Sequence, residues 1–373
     1  MNKNTKYIIW LVVLVIVIGG AYVLFNKPKQ ASGEIIKIGS ILILTGEGAS
    51  WGEAARNGID LAVEEINNRG GVNNKNLVVI HEDDESDPKK AVSAFQKLTS
   101  ADKVRFIIGP NWSHTGLAVA PLAPESRVVM ISPSLGVKEF NESSQYLFNT
   151  WPHDEILSRN LAEYVYNKGY RKVVLFGAQQ VWVKDQTAAF KGKFEELGGK
   201  VELLFEPLIT DTDPRANVLK LKNTPGIDAV IFTSDGQDIT AITAKKIKEF
   251  GIKLPTYSIT LDRKIISNCE GSCDGWLFLT FLTPTSEFEK KYKVKYSREV
   301  EIGADSAYDA IMILAEAMEK TNSDDVESVR NYLSSIKKYN GASGTLVSDG
   351  KRAFTKDYII KEIQNGQPVT ISQ

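Results

Sequence analysis

The sequence predicts an α/β protein with two lobes, each built on a doubly wound parallel sheet. From Ile35 onward, short β-branched apolar runs alternate with helical patterns, which is the order of a mostly parallel sheet. This alternation begins again near Asp154, after a first series of strands and helices. The length of 373 residues also exceeds what one hydrophobic core usually organises, so a second lobe is expected.

The first series contains four apolar runs of strand type with helical patterns between them. Its second helix has a clear start signal, Asp87 followed by Pro88. An aspartate caps free backbone N–H groups, and a proline suits the first helical turn. The predicted strands cover 38–44, 77–80, 104–109 and 128–132, and helices are predicted at 57–62, at 89–98 and from 115.

The second series opens with a helical pattern over 154–167 and continues with four strand-type runs. After a final helical pattern, the end of the chain is polar and rich in turn residues. The predicted strands are 172–177, 201–205, 229–233 and 255–259, and the helices are 186–197, 213–222, 238–250, 287–296, 306–320 and 325–337.

No linker rich in proline or serine separates the two series, so the lobes are expected to share crossing segments. These crossings are predicted near residues 152, 284 and 345. Lobe I is then predicted at 33–152 and 285–344, and lobe II at 153–284 and 345–373.

The first 32 residues have the pattern of an export signal or a membrane anchor with a linker. Lys3 and Lys6 precede an uncharged run over 7–25, which is about as long as a helix that spans a bilayer. Gly19 and Ala21 also suit a cleavage site, so a cleaved signal and a retained anchor both stay open. No cysteine follows the run, which excludes a lipoprotein anchor. Either way, the rest of the chain is predicted to lie outside the cytoplasm.

Composition and motifs favour a binding protein over an enzyme. The net charge of −1, with lysine and arginine spread evenly, gives no nucleic-acid surface. The three histidines have no metal-ligand spacing, and no G-x-S-x-G, G-x-G-x-x-G or phosphate-binding loop motif occurs. We therefore predict a monomer without catalytic residues, metal or cofactor.

The two cysteines, Cys269 and Cys273, flank a Gly-Ser turn. In an exported protein this close spacing favours a local disulfide, with two free thiols as the alternative. A zinc site needs more than two ligands, and no histidine lies nearby.

Several predicted strand ends carry residues suited to a small-molecule pocket. Trp51 lies in a thin glycine-rich loop after the first strand, and it supplies an apolar wall. After the third strand, the free N–H groups of a helix start, with Ser113 or Thr115, suit a carboxylate; a plain cap by Ser113 is the alternative. The neighbouring junction at 132–136 could direct further N–H groups to the same anion.

Asp154 lies where the first series gives way to the second, and its carboxylate could accept hydrogen bonds from an ammonium group. Simple capping of the helix that begins there is the alternative. Four tryptophans also fall at predicted strand ends or crossings, which suits an apolar or aromatic ligand side chain. They are Trp51, Trp112, Trp151 and Trp182.

From about residue 33 to its end, the chain resembles the periplasmic solute-binding proteins of the leucine/isoleucine/valine-binding type. The segments that carry this resemblance, in order, are 38–54, 67–72, 81–88 with 91–92, 107–110, 130–133 and 307–310. The resemblance implies a two-lobed fold that closes on its ligand and delivers it to the permease of an ABC importer.

The resemblance also implies roles for individual residues. Ser113 and Thr115 match the junction that holds an α-carboxylate, with Ser134 and Gly136 on the adjacent one, and Asp154 matches the ammonium partner. Amino-acid binders usually carry a threonine where this chain has Gly136. A second acid of the ammonium site falls near Leu261 or Asp262. Further ligand-binding residues implied by the resemblance are Trp51, Trp182, Asp262 and Tyr308, and Trp112 is added from its place at a predicted strand end.

Together these features predict an extracytoplasmic solute-binding protein for a branched-chain or other hydrophobic amino acid. Two alternatives stay open: a ligand-sensing receptor domain of the same fold, and a binder of a small amide.

Overall fold

The computed structural model describes residues 33–46, 48–208, 210–233, 238–282 and 284–372. The predicted hydrophobic helix over 7–25 and its possible cleavage site lie outside these residues. Within the described ranges, no helix has the length and apolar character needed to cross a bilayer.

The first sheet has five parallel strands in the order β2-β1-β3-β4-β5. The strand order reverses at β1, so the carboxyl ends of β1 and β3 border a crevice of the kind that holds ligands in open α/β sheets. The sequence analysis predicts four of these strands and misses the short β5. The strands are β1 Ile35–Leu42, β2 Asn76–Asp83, β3 Phe106–Ile108, β4 Val129–Ser132 and β5 Leu147–Asn149.

Helices from two separate parts of the chain, before residue 143 and after residue 285, contribute to the core of the first sheet. The start signal at Asp87 acts as predicted, because its carboxylate accepts hydrogen bonds from the backbone N–H groups of Lys89 and Lys90. The helices are α1 Ala49–Asn68, α2 Pro88–Gln96 with a π-helical turn at Lys97–Ala101, α3 Ser113–Val119, α4 Leu122–Ser126, α5 Lys138–Glu142, α11 Ser286–Tyr296, α12 Ala304–Thr321 and α13 Val326–Ser335.

The second sheet has seven strands in the order β15-β14-β10-β9-β8-β6-β7. Strands β6 to β10 are parallel, whereas β14 and β15 add an antiparallel edge. The strands are β6 Lys172–Phe176, β7 Lys200–Phe205, β8 Ala229–Phe232, β9 Thr256–Ile259, β10 Leu277–Phe281, β14 Tyr358–Gln364 and β15 Gln367–Ser372; the helices are α6 Asp154–Asn167, α7 Val181–Glu196, α8 Arg215–Lys222, α9 Asp238–Glu249 and α10 Arg263–Asn268.

The turn-rich end of the chain forms strands that were not predicted. A small sheet, β11 Lys338–Gly341, β12 Gly344–Ser348 and β13 Phe354–Thr355, precedes the antiparallel edge of β14 and β15. Charged, polar and turn residues interrupt the apolar positions of these segments, so they show no clear strand pattern.

The chain passes between the two sheets after β5, after β10 and before β14. The predicted boundary near residue 345 falls within β12, and Leu346 of that strand packs in the first core. Asp309 of α12 explains this placement, because its buried carboxylate accepts hydrogen bonds from the N–H groups of Ala342 and Ser343 at 2.7 and 2.8 Å. The turn before β12 is thereby held against a helix of the first core.

Helices α1 and α12 pack closely at Gly58. A Cβ atom added at this position would lie 2.0 Å from the carbonyl oxygen of Ala304. A side chain there would force the two helices apart, so glycine sets their separation. This packing fixes α1, which carries Trp51, relative to the rest of the first core.

Replacing Gly58 with alanine should lower the free energy of unfolding by about 1–3 kcal/mol, the usual cost of overpacking. The measurement is urea denaturation of the full-length protein followed by circular dichroism. Gly192→Ala is the matched control, since a Cβ at this exposed position of α7 meets no atom within 4 Å. That variant should gain about 0.5–1 kcal/mol from helix propensity. Equal shifts for the two variants would contradict close packing at Gly58.

Candidate functional site

A cavity lies between the carboxyl ends of the two sheets, and the space within its walls, open solvent included, is about 480 Å³. Its wall includes Trp51 on α1, residues of the loops after β3 and β4, and Thr260 and Phe281 at the ends of β9 and β10. Both sheets therefore contribute to one site, as open α/β sheets do at their carboxyl ends. The predicted ligand-binding residues that line it are Trp51, Trp112, Ser113, Ser134, Gly136, Asp154 and Trp182.

The carboxylate of Asp154 packs directly against the backbone of Gly136. A Cβ added at Gly136 would lie 1.9–2.0 Å from all three atoms of that carboxyl group. The backbone N–H of Asp154 also donates to the carbonyl oxygen of Gly136 at 2.9 Å. The missing hydroxyl that the sequence analysis noted at Gly136 has a physical reason: the carboxylate of Asp154 occupies the space of any side chain there.

Asp154 contributes the one charge among the described residues that line this cavity. It is the first residue of α6, and the preceding His153 is the N-cap. Similarly, Ser113 is the first residue of α3 and follows the N-cap Trp112. Neither residue therefore occupies the capping position that the sequence analysis gave as its alternative role.

Aromatic rings form much of the cavity wall. The rings of Trp112 and Trp182 lie 5.4 Å apart and join the loop after β3 to the start of α7. Trp182 is only 9% exposed and packs in the core of the first sheet, although α7 belongs to the second. Trp151 meets Phe281 edge to face at 5.7 Å. The two sheets thus approach each other through these rings.

The loops after β3 and β4 are joined by buried hydrogen bonds. The Oγ of Ser134 donates to the carbonyl oxygen of Asn111 at 2.9 Å and accepts from its side-chain Nδ2 at 3.2 Å. The Oδ1 of Asn111 accepts from the N–H of Ile43 at 3.3 Å. Ser132 adds a bond from its Oγ to the carbonyl oxygen of Pro110 at 2.7 Å. These bonds bring the two junctions together, as predicted for adjacent strand ends.

Three sequence-predicted residues do not line this cavity. The hydroxyl of the fully buried Thr115 donates to the carbonyl oxygen of Trp112 at 3.1 Å, within its own helix. Asp262 accepts from the N–H of Ile265 at 2.7 Å and so caps α10. The hydroxyl of Tyr308 donates to the carboxylate of Glu65 at 2.6 Å. In each case the hydrogen bond holds the side chain away from the cavity.

Six residues of the wall were not predicted as ligand-binding residues. Thr260 follows the predicted strand over 255–259, so the rule that identified Ser113 could have found it, whereas the strand that ends at Phe281 was not predicted. Leu157 and Gln186 follow Asp154 and Trp182 by one helical turn, a spacing that places them on the same face. The full set is Asn111, Trp151, Leu157, Gln186, Thr260 and Phe281.

A second cavity, whose space with open solvent included is about 890 Å³, shares Trp151, Thr260 and Phe281 with the first. Asp262 lines this second space. Here the ammonium of Lys356 lies 3.3 Å from the carboxylate of Asp305 and 5.6 Å from the ring centroid of Trp151. Both side chains of this ion pair are almost completely buried. The pair supports Trp151 from the side of the second cavity.

Cys269 and Cys273 form a disulfide directly after α10 and pack in the core of the second sheet. Among the residues that the structure describes, no group of three or more histidine, cysteine or acidic side chains could hold a metal ion.

Several known proteins are similar to this chain in both sequence and fold. The family model described as periplasmic binding protein matches residues 35–367. Leu/Ile/Val-binding protein homolog 3 of Brucella melitensis is 26% identical over 325 residues, which cover 83% of this chain and 86% of that protein. A leucine binding protein of Thermotoga maritima has a TM-score of 0.81 at 25% identity and covers 90% of this chain and 98% of its own. A branched-chain amino acid transporter substrate binding protein of Streptococcus pneumoniae, in complex with isoleucine, has a TM-score of 0.81 at 24% identity, with 91% and 100% covered.

The contact between residues 136 and 154 can be tested by a double-mutant cycle. Gly136→Ala alone should lower the free energy of unfolding by about 1–3 kcal/mol, because the new methyl group collides with the carboxylate. Adding Asp154→Ala removes the colliding atoms, so the double variant should be more stable than the sum of the single changes implies. Urea denaturation of the four proteins gives the coupling energy, and strict additivity would contradict the contact.

Proposed function

The chain belongs to the periplasmic binding protein family, and from that premise we propose that its cavity binds an amino acid with an apolar side chain. The predicted family and fold class are confirmed by the family match and by the shared fold. The family is one of solute-binding proteins that act outside the cytoplasm and serve ABC importers. The ligand that we propose is of the branched-chain or a similar hydrophobic type.

The observation that carries this proposal is the single carboxylate of Asp154 in a wall without a cationic side chain among the described lining residues. A half-buried carboxylate in the wall favours a ligand that brings a positive charge, because opposite charges attract more strongly in a partly desolvated site than in water. Trp51, Trp182, Leu157 and the other apolar residues around it suit an apolar ligand side chain. An α-ammonium group next to an aliphatic or aromatic side chain meets both requirements.

The α-carboxylate is assigned to the joined loops after β3 and β4. Ser113 is buried at the start of α3, where free N–H groups favour an anion. The hydroxyl of Ser134 is already bonded to Asn111, so Ser113 is the residue that we assign as the hydroxyl donor. The names of two relatives, a Leu/Ile/Val-binding homolog and a leucine binding protein, support the same ligand class.

The proposed mechanism is capture by closure, without bond chemistry. A ligand between Asp154 and Trp182 touches elements of both sheets, so its binding favours the arrangement in which they approach. The closed form then delivers the ligand to the permease of an ABC importer. We further propose that the protein acts as a monomer and that residues 7–25 keep it at the membrane when they are not cleaved.

Asp154→Asn should weaken the binding of leucine, isoleucine or valine by about 2–5 kcal/mol, because it leaves an ammonium buried without its counter-charge. Isothermal titration calorimetry on the full-length protein in mild detergent measures the change. Asp185→Asn is the matched control, since Asp185 does not line the cavity and lies in a neighbouring groove that shares only Gly136 with it. Comparable affinities for the wild type and Asp154→Asn would overturn the ammonium assignment.

Ser113→Ala should weaken the same ligands less, by about 1 kcal/mol, because the backbone donors at the start of α3 remain. The same calorimetric titration measures this effect. A loss as large as that of Asp154→Asn would show that the carboxylate depends on the hydroxyl and not on the N–H groups.

A further inference from the structure

We propose that Trp151 determines ligand specificity by limiting the length of the ligand side chain, and that the buried ion pair of Lys356 and Asp305 holds its ring in place. The limit on length rests on the proposed function, because it concerns the ligand of the same cavity. The holding of the ring concerns the protein alone. Lys356 and Asp305 are therefore positioning residues that act through Trp151.

Trp151 belongs to the partition between the two cavities. Trp151, Thr260 and Phe281 line both spaces. The rings of Trp151 and Phe281 meet edge to face, with 5.7 Å between their centroids. The space beyond them is the larger of the two. A ligand side chain that extends from the first cavity in this direction meets the rings, and it reaches the second space only if they give way.

An apolar surface leads from the proposed ammonium site to this partition. Leu157 follows Asp154 by one helical turn of α6 and lines the same cavity. Leu157 also packs in one apolar cluster with Trp151 and Phe281. The ammonium is assigned to Asp154 and the α-carboxylate to the loops after β3 and β4, which leaves this apolar surface to the ligand side chain. We therefore place the end of a straight side chain at Trp151.

The ring of Trp151 has a charged partner on the side of the second cavity. The ammonium of Lys356 lies 5.6 Å from the ring centroid and 3.3 Å from the carboxylate of Asp305. The side chains of this lysine and this aspartate are only 3% and 5% exposed, and both residues line the second cavity but not the first. A desolvated ammonium over an indole face attracts the ring. Lys356 therefore attracts the ring and backs it at the same time.

The ion pair stands where the three crossings between the sheets meet. In the first crossing, the hydroxyl of Thr150 donates to the carbonyl oxygen of Ser306 at 3.0 Å. In the second, the backbone N–H of Leu282 donates to the carbonyl oxygen of Asp357, in the third crossing, at 2.9 Å. The two accepting residues directly follow the two members of the ion pair in the chain. The pair is thus anchored by the crossings, so it can hold a ring that borders open space on both sides.

The limit on length is tested with norvaline, norleucine and 2-aminooctanoate, titrated into the full-length protein in mild detergent and followed by calorimetry. The affinity of the wild type should fall about tenfold or more from norleucine to 2-aminooctanoate, because the longer side chain overpacks a fixed wall. Trp151→Ala should remove most of this fall, since it opens the way to the second cavity. Trp151→Phe, which keeps a ring, should retain it. A wild type without this fall, or an equal fall in Trp151→Ala, overturns the specificity role.

The ion pair is tested with the double variant Lys356→Met/Asp305→Asn, which removes both charges and leaves neither unpaired in the interior. This variant should bind 2-aminooctanoate about threefold more tightly than the wild type, because the ring loses the attraction that holds it. Lys361→Met is the matched control: Lys361 lines the same cavity but lies within β14, opposite Phe278 of β10. A double variant with the length profile of the wild type overturns the positioning role.

Fluorine NMR of the ligand-free protein labelled with 5-fluorotryptophan tests the position of the ring directly. The resonance that Trp151→Phe removes belongs to Trp151. The double variant should broaden this resonance, because the released ring exchanges between positions, whereas Lys361→Met should leave its width unchanged. A resonance of unchanged width in the double variant overturns the positioning role. If the wild type binds none of leucine, isoleucine, valine and norleucine, the proposed function and the limit on length are overturned together, and these spectra still decide whether the ion pair holds Trp151.

Discussion

The contact between the Asp154 carboxylate and the backbone of Gly136 is the constraint on which the site depends. It sits where the chain first crosses between the sheets, at the start of α6 and the end of the loop after β4. Because the carboxylate occupies the space of a side chain at residue 136, one residue determines both the shape of this corner and its charge. In the proposed function the ligand pairs with that charge, so the chemistry that we propose for the site depends on a packing contact.

The second feature of the site is that neither sheet forms it alone. The strand ends of the first sheet supply the polar loops, whereas α6, α7 and the ends of β9 and β10 supply much of the apolar wall. Trp182 extends from α7 into the core of the first sheet and meets Trp112. A ligand between these elements therefore links the two halves, and binding and closure become one equilibrium.

Much of this arrangement could be predicted from the sequence, because the apolar runs show where the strands end. Ligands of open α/β sheets bind at the carboxyl ends of the strands. This rule pointed to Trp51 and Ser113, whereas Asp154 was predicted from its place between the two series of strands and helices. Tyr308 and Asp262 were carried over from the resemblance, and local partners that no pattern reveals hold them elsewhere: Glu65 for the tyrosine, and the N–H of Ile265 for the aspartate. The strands near the end of the chain were missed because charged, polar and turn residues interrupt their apolar positions.

The most direct test of the account is a crystal structure of the full-length protein with its tightest-binding amino compound. The account predicts that the ligand nitrogen lies beside the Asp154 carboxylate, that the ligand carboxylate lies at the loops after β3 and β4, and that the ligand side chain lies among the tryptophans. A ligand seated instead in the second cavity, beyond Trp151, or one with its nitrogen turned away from Asp154, would contradict it.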